Sequence, residues 1–261
     1  MLSRPIGVFD SGVGGLSVLR ALRAALPAER LLYVADTAHC PYGDKPAEEV
    51  RARALAVGGW LRAQDAKLVV VACNTATGAA LEELRQVLDV PVVGLEPAVK
   101  TAAARTRTRR IGVLATSGTV ASARFRRLVE QHAPSLEVVA QPCPGLVELI
   151  EEGVDGSLLQ ERLRAYVAPL VRAGVDAVVL GCTHYPFVRE ALSRVLGGDV
   201  DLIDSAPAIA RRATSLLDQA GLRAAEGAGS VRLLTTGEPA EVAPAVARLW
   251  GEALPVEPLA L

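Results

Sequence analysis

The chain has 261 residues, 51% of them apolar but only 3% aromatic, and a formal net charge of −1. That balance supports a sizeable Ala/Val/Leu core and excludes a global electrostatic pull toward nucleic acid or a membrane surface. Only Lys45, Lys67 and Lys100 could supply lysine Schiff-base chemistry, and no apolar run approaches the roughly 18 residues of a membrane span.

In chain order, the opening Met-Leu-Ser-Arg-Pro has no charged region or apolar h-region, so no secretory signal is expected. A strand over 5–9 leads into the turn Asp10-Ser11-Gly12-Val13-Gly14-Gly15. This turn is not a dinucleotide fingerprint, because Ser17 stands where the third glycine belongs. Strands over 31–35, 67–72 and 91–94 alternate with helical patterns over 46–64 and 77–88. A junction is expected near 97–109, where Pro97 breaks the pattern and Arg105-Thr-Arg-Thr-Arg-Arg110 forms a polar run. That run reads as solvated surface, with a polyanion site as the alternative. Strands then recur over 110–114, 136–140, 175–180, 200–203 and 231–235. Helical patterns accompany them over 119–132, 157–173, 186–197, 205–220 and 239–250, with a flexible loop at 224–230. Near-continuous apolar strands alternating with helices predict an α/β fold of mainly parallel sheets covered on both faces.

The chain echoes itself. Ile6-Gly7-Val8 is answered by Ile111-Gly112-Val113, and Val69-Val-Val-Ala-Cys73-Asn-Thr75 by Val178-Val-Leu-Gly-Cys182-Thr-His184. Two pseudo-symmetric doubly wound domains are therefore expected: residues 1–98 with 208–261, and 99–207. Each cysteine falls where a strand ends and the chain turns toward a helix, the edge where open α/β sheets bind ligands. Backbone N–H groups and the positive dipole end there lower a thiol pKa and hold carboxylates. A small core residue is the alternative for either cysteine alone. Asp10 occupies the corresponding edge, with a helix cap as its alternative reading. His184 stands two residues past Cys182, suited to proton transfer at neutral pH. Cys-x-His lacks zinc-site spacing, and no metal or cofactor motif is present. Two thiols on opposing walls of a crevice suit proton removal from one face of a carbon acid and its return on the other.

These residues closely resemble the glutamate racemases of the cofactor-independent aspartate/glutamate racemase superfamily. The resemblance rests on Phe9-Asp-Ser-Gly-Val-Gly-Gly15, Pro41-Tyr42-Gly43, Ala72-Cys-Asn-Thr75, Leu180-Gly-Cys-Thr-His-Tyr-Pro186, Leu202-Ile-Asp-Ser205 and Thr235-Thr236-Gly237. It spans essentially the whole chain, with departures at His39, Cys40 and Glu148. It implies an active site between two domains and interconversion of L- and D-glutamate for peptidoglycan synthesis, in the cytoplasm and without cofactor or metal. It assigns Cys73 and Cys182 as paired acid/base thiols, acting on the D- and L-enantiomers respectively. Asp10 would assist the first, and His184 with Glu151, in preference to Glu152, the second. Ser11, Tyr42, Gly43, Asn74, Thr75 and Thr183, with Asp10 and His184, would hold the substrate.

Rival readings are an aspartate racemase, a thiol-redox protein and a non-catalytic amino-acid-binding module. The absence of Cys-x-x-C argues against the redox reading. Four cysteines in an Ala/Leu-rich chain do not form a secreted disulfide framework, so free thiols are expected. A small-molecule substrate, no nucleic-acid or membrane partner, and a homodimer through Ala/Leu helix faces complete the expectations.

Overall fold

The computed structural model describes residues 3–261. Met1 and Leu2, the first residues of the expected leaderless start, lie outside the described residues. The first run of elements is β1 Ile6–Asp10, α1 Leu16–Ala25, β2 Arg30–Ala35, α2 Ala47–Ala63, β3 Leu68–Val71, α3 Asn74–Val87 and β4 Val92–Gly94. The second opens with α4 Val99–Arg105, β5 Arg110–Ala115, α5 Ser117–Ala121, α6 Ala123–His132 and β6 Glu137–Pro142. It continues through α7 Leu146–Glu152, α8 Gly156–Ala173, β7 Ala177–Gly181, α9 Arg189–Leu196 and β8 Asp201–Asp204. The chain then adds α10 Ala206–Gln219, β9 Ser230–Thr235, α11 Pro239–Trp250 and β10 Val256–Pro258.

All strand pairs are parallel. One sheet has the order β10-β9-β2-β1-β3-β4 and the other β6-β5-β7-β8. The order β2-β1-β3-β4 in the first is repeated by β6-β5-β7-β8 in the second, so the sequence echo is an echo of topology. β3 and β7 are equivalent, and the chain leaves them at Cys73 and Cys182. After the second sheet is complete, β9 pairs with β2 and the chain rejoins the first sheet.

Side chains alternate between the two faces of each strand, and both faces are covered. Ile6, Val8, Tyr33, Val70 and Ala72 point to one apolar cluster, while Phe9, Val34, Val69 and Val71 point to another lined by α2 and α3. The first cluster also contains Leu163, Leu170, Val178 and Leu180 of the second sheet and α8, so one core joins the halves. The glycines of the echoed triplets have a packing reason. A side chain at Gly7 would meet Leu61 at 3.1 Å, and one at Gly112 would meet Leu170 at 2.5 Å, because a helix lies directly on each strand.

Several boundaries differ from expectation for local reasons. α3 starts at Asn74 rather than 77, because Cys73 itself caps it. The pattern over 119–132 is broken at Ser122, whose extended backbone ends α5 and whose hydroxyl accepts from Phe125 N–H at 3.1 Å to start α6. The expected helix over 186–197 begins as a single tight turn, Tyr185–Val188, before α9. β10, three residues long, carried no sequence signal. The polar run 105–110 wraps a carboxylate: Asp176 accepts from the Thr106 and Thr108 hydroxyls and from the N–H groups of Arg107 and Thr108. Arg105 pairs with Asp201 and Arg110 with Glu137, so this run is an internally paired surface.

Candidate active site

Asp10 ends β1 with its carboxylate fully buried. Oδ1 accepts from Ser11 N–H at 2.8 Å, and Oδ2 accepts from Gly15 N–H at 2.6 Å. Oδ2 also accepts from the Thr183 hydroxyl at 3.0 Å, across the cleft. Burial lifts the Asp10 carboxyl above its ordinary pKa, against the opposing His184 charge and these hydrogen bonds.

Cys73 is the N-cap of α3, with an extended backbone at φ −113° and ψ 123°. Its sulfur accepts from Ala76 N–H at 3.4 Å and lies 3.8 Å from the Ser11 hydroxyl. The helix N-terminus was expected to lower this thiol's pKa. Burial, then the Asp10 charge, instead push it up, outweighing the Ala76 N–H and the Ser11 hydroxyl. The opposite wall is built differently. Cys182 follows β7 into the Tyr185–Val188 turn, and its sulfur lies 3.7 Å from His184 Nδ1. His184 is 1% exposed, and its Nε2 donates to Glu151 Oε1 at 2.7 Å. Burial pulls the imidazole down, but Cys182 and Glu151 outweigh it and hold its pKa well above the usual histidine range. Burial likewise raises Glu151, yet hydrogen bonds from His184, Val13 N–H and the Cys40 thiol hold it below its ordinary value. Glu152, the alternative carboxylate, is exposed.

Polar groups bridge the two walls. Thr75 Oγ1 lies 2.9 Å from Thr116 Oγ1, and Ser17 Oγ donates to the Thr183 carbonyl at 2.9 Å. Asn74 is buried, and among the described residues neither its Oδ1 nor its Nδ2 has a hydrogen-bond partner. An orphaned buried amide costs about 1–3 kcal/mol, which points to a ligand contact. Tyr42 is also buried, but its hydroxyl donates to Asp36. Asp36 in turn accepts two bonds from Arg53, at 3.0 and 2.8 Å, and one from the Thr236 hydroxyl at 2.7 Å. Tyr42 therefore braces the 41–43 turn from behind, and Gly43 faces Thr116.

The structure thus brings Asp10, Ser11, Cys73, Asn74, Thr75, Glu151, Cys182, Thr183 and His184 into one cluster, buried except for the half-buried Glu151. Sequence reasoning missed Thr116 and Thr119, whose hydroxyls join Thr75. The signal for them was the repeat itself, since the turn after β5 is the counterpart of the Asp10 turn after β1.

The family model described as Asp/Glu/Hydantoin racemase matches residues 6–213. The chain is 50% identical over 251 residues to the glutamate racemase of Pseudomonas paraeruginosa, covering 95% of each chain. The chain belongs to the glutamate racemases, within the Asp/Glu/Hydantoin racemase family. The solved structure of glutamate racemase isoform RacE1 from Bacillus anthracis superposes with a TM-score of 0.94 at 32% identity, covering 100% of this chain and 99% of that one. Glutamate racemase from Francisella tularensis in complex with D-glutamate superposes at 0.89 with 30% identity, covering 100% and 98%. The α/β architecture of two parallel sheets is therefore that of this racemase family. Among the described residues, no helix is long and apolar enough to cross a membrane.

Proposed function

We propose that this protein interconverts L- and D-glutamate without a cofactor, using Cys73 and Cys182 as acid/base groups on opposite faces of Cα. The observation that carries the reading is the pair of free thiols at equivalent strand ends of a repeated sheet, each with its own partners. Asp10 and Ser11 serve Cys73, while His184 and Glu151 serve Cys182. The D-glutamate bound to the Francisella neighbour supports the choice of substrate.

In the L-to-D direction the Cys182 thiolate removes the Cα proton, and the Cys73 thiol delivers its own proton to the other face. The roles exchange on return. The His184 imidazolium stabilises the Cys182 thiolate. Burial disfavours the Cys73 thiolate, and a substrate ammonium beside Asp10 offsets the carboxylate charge that opposes it. Glutamate Cα–H is weakly acidic, so charge developing toward the α-carboxylate needs preorganised donors. The Ser11, Thr75, Thr116, Thr119 and Thr183 hydroxyls, the Asn74 amide and the Gly43 backbone are suited to that work. The reacting groups are all but inaccessible, so substrate enters by opening of the cleft, and closure excludes water.

The same reading divides the chain into domains 1–98 with 208–261, and 99–207, places the enzyme in the cytoplasm, and makes D-glutamate for peptidoglycan its product. Circular dichroism of the protein with L-glutamate alone tests the activity. The optical signal decays to zero with wild type and persists with Cys73→Ala or Cys182→Ala, and turnover in D₂O places deuterium at Cα. An undiminished signal with wild type, or inversion with the original hydrogen retained, sinks the proposal.

A further inference from the structure

Glu151 reaches His184 from the last turn of α7, a helix of only seven residues. Helix ends fray, and their last carbonyls lack intrahelical partners. Here Gly153 N–H serves the Ile150 carbonyl at 3.2 Å, and a side chain from the far end of the sequence adds a second donor there and one at Glu151. Arg248, on α11, donates from Nη2 to the Ile150 carbonyl at 3.3 Å and to the Glu151 carbonyl. Its guanidinium lies over Gly153, the left-handed residue (φ 75°) that ends α7, where an added Cβ would sit 2.7 Å from Arg248 Cζ. A cation at this point also complements the negative end of the helix dipole. The neighbouring contact repeats the pattern. Arg20, on α1, donates to the Leu249 carbonyl at 2.5 Å, and its guanidinium lies 5.9 Å from Phe187 and 5.8 Å from Trp250. Phe187 belongs to the turn that continues from His184. The first half, through α1 and α11, thus grips the second half at the two short segments that carry Glu151 and His184.

We propose that Arg248 is a positioning residue for the Cys182 wall: it pins the backbone of Glu151 so that Oε1 stays within hydrogen-bond reach of His184 Nε2. The proposal rests on the roles of Cys182, His184 and Glu151 given above. Among the described residues no hydrogen bond joins Arg248 to either thiol, so it acts through the end of α7 that carries Glu151. A shift of the α7 end by about 1 Å is enough to break a 2.7 Å contact, and displacements of that size cost on the order of 100-fold in rate.

The test compares Arg248→Ala and Arg248→Lys with wild type in the full chain. Steady-state rates are measured with both enantiomers, alongside primary isotope effects with α-deuterated L- and D-glutamate and a thermal melt. Arg248→Ala is expected to lower kcat by roughly 10- to 100-fold with KM little changed. The isotope effect is expected to rise for the L-enantiomer, which Cys182 deprotonates, and not for the D-enantiomer. Arg248→Lys, which keeps a donor and the charge, is expected to restore part of kcat. Wild-type kcat in Arg248→Ala overturns the inference. So does a fall in kcat that tracks the melting temperature and leaves both isotope effects unchanged. A wild-type protein inactive on both enantiomers refutes the underlying function instead, so the two failures are distinguishable.

Discussion

The Glu151 carboxylate joins the two halves of the molecule through one atom. Oε1 accepts from His184 Nε2 at 2.7 Å on its own side of the cleft and from Val13 N–H at 3.0 Å on the other. The His184–Glu151 pair beside Cys182 therefore keeps all these hydrogen bonds only while the turn after β1 is docked. In the proposed mechanism, cleft closure and readiness for proton transfer are then one event, because the same oxygen serves both.

Glu151→Gln keeps the shape and can still accept from Val13, but it removes the charge that stabilises the imidazolium. We expect kcat to fall by roughly 10²-fold or more, in the range of general acid–base contributions. Glu152→Gln is expected to turn over like wild type, since Glu152 is exposed. Equal rates in the two variants would contradict the assignment.

Gly14 faces the His184 ring, and a methyl group there would collide with the imidazole. Gly14→Ala should displace His184 from Cys182 and abolish most activity. The stability cost should be about 1–3 kcal/mol, typical of overpacking. A variant that melts slightly lower and fails to racemise agrees with this, whereas one with normal kcat does not.

Asp36 gives a pH-dependent stability term. Burial raises its pKa, but hydrogen bonds from Arg53, Tyr42 and Thr236 outweigh burial and leave it below its ordinary value. A depressed folded pKa stabilises the protein above the unfolded value of about 3.9, and that stabilisation is lost as pH falls toward the folded one. The melting-temperature gap between wild type and Asp36→Asn should be wide at neutral pH and shrink below about pH 4. A gap independent of pH would remove Asp36 as the cause.

Lys67 and Glu29 form a fully buried ion pair of 2.6 Å, and Lys67 Nζ also donates to the Leu222 carbonyl at 2.8 Å. Glu29 Oε1 accepts from Ala224 N–H at 2.8 Å. Together they tie the segment after α10 beneath the first sheet. Lys67→Met alone should cost about 3–5 kcal/mol by stranding a buried carboxylate. Adding Glu29→Gln should recover part of that loss. Chemical denaturation of the two variants decides it, and an additive double variant would rule out the coupling.

The residue pattern by itself determined the alternation of strands and helices, the internal repeat, the two cysteines at strand ends and the choice of Asp10. These follow from local periodicity and from turn residues, which are legible along one dimension. Glu151 and Tyr42 entered only through family resemblance, because nothing within a few residues of either says what it will meet. The tertiary structure decided that Glu151 spans the cleft to Val13 and that the Tyr42 hydroxyl turns away to Asp36. It decided that Thr116 and Thr119 join Thr75, and that the Cys73 thiol is pushed up rather than down. Each of those outcomes depends on how deeply two distant segments bury one another. Burial and cross-chain hydrogen bonding are properties of the packed molecule, and the order of residues along the chain does not express them.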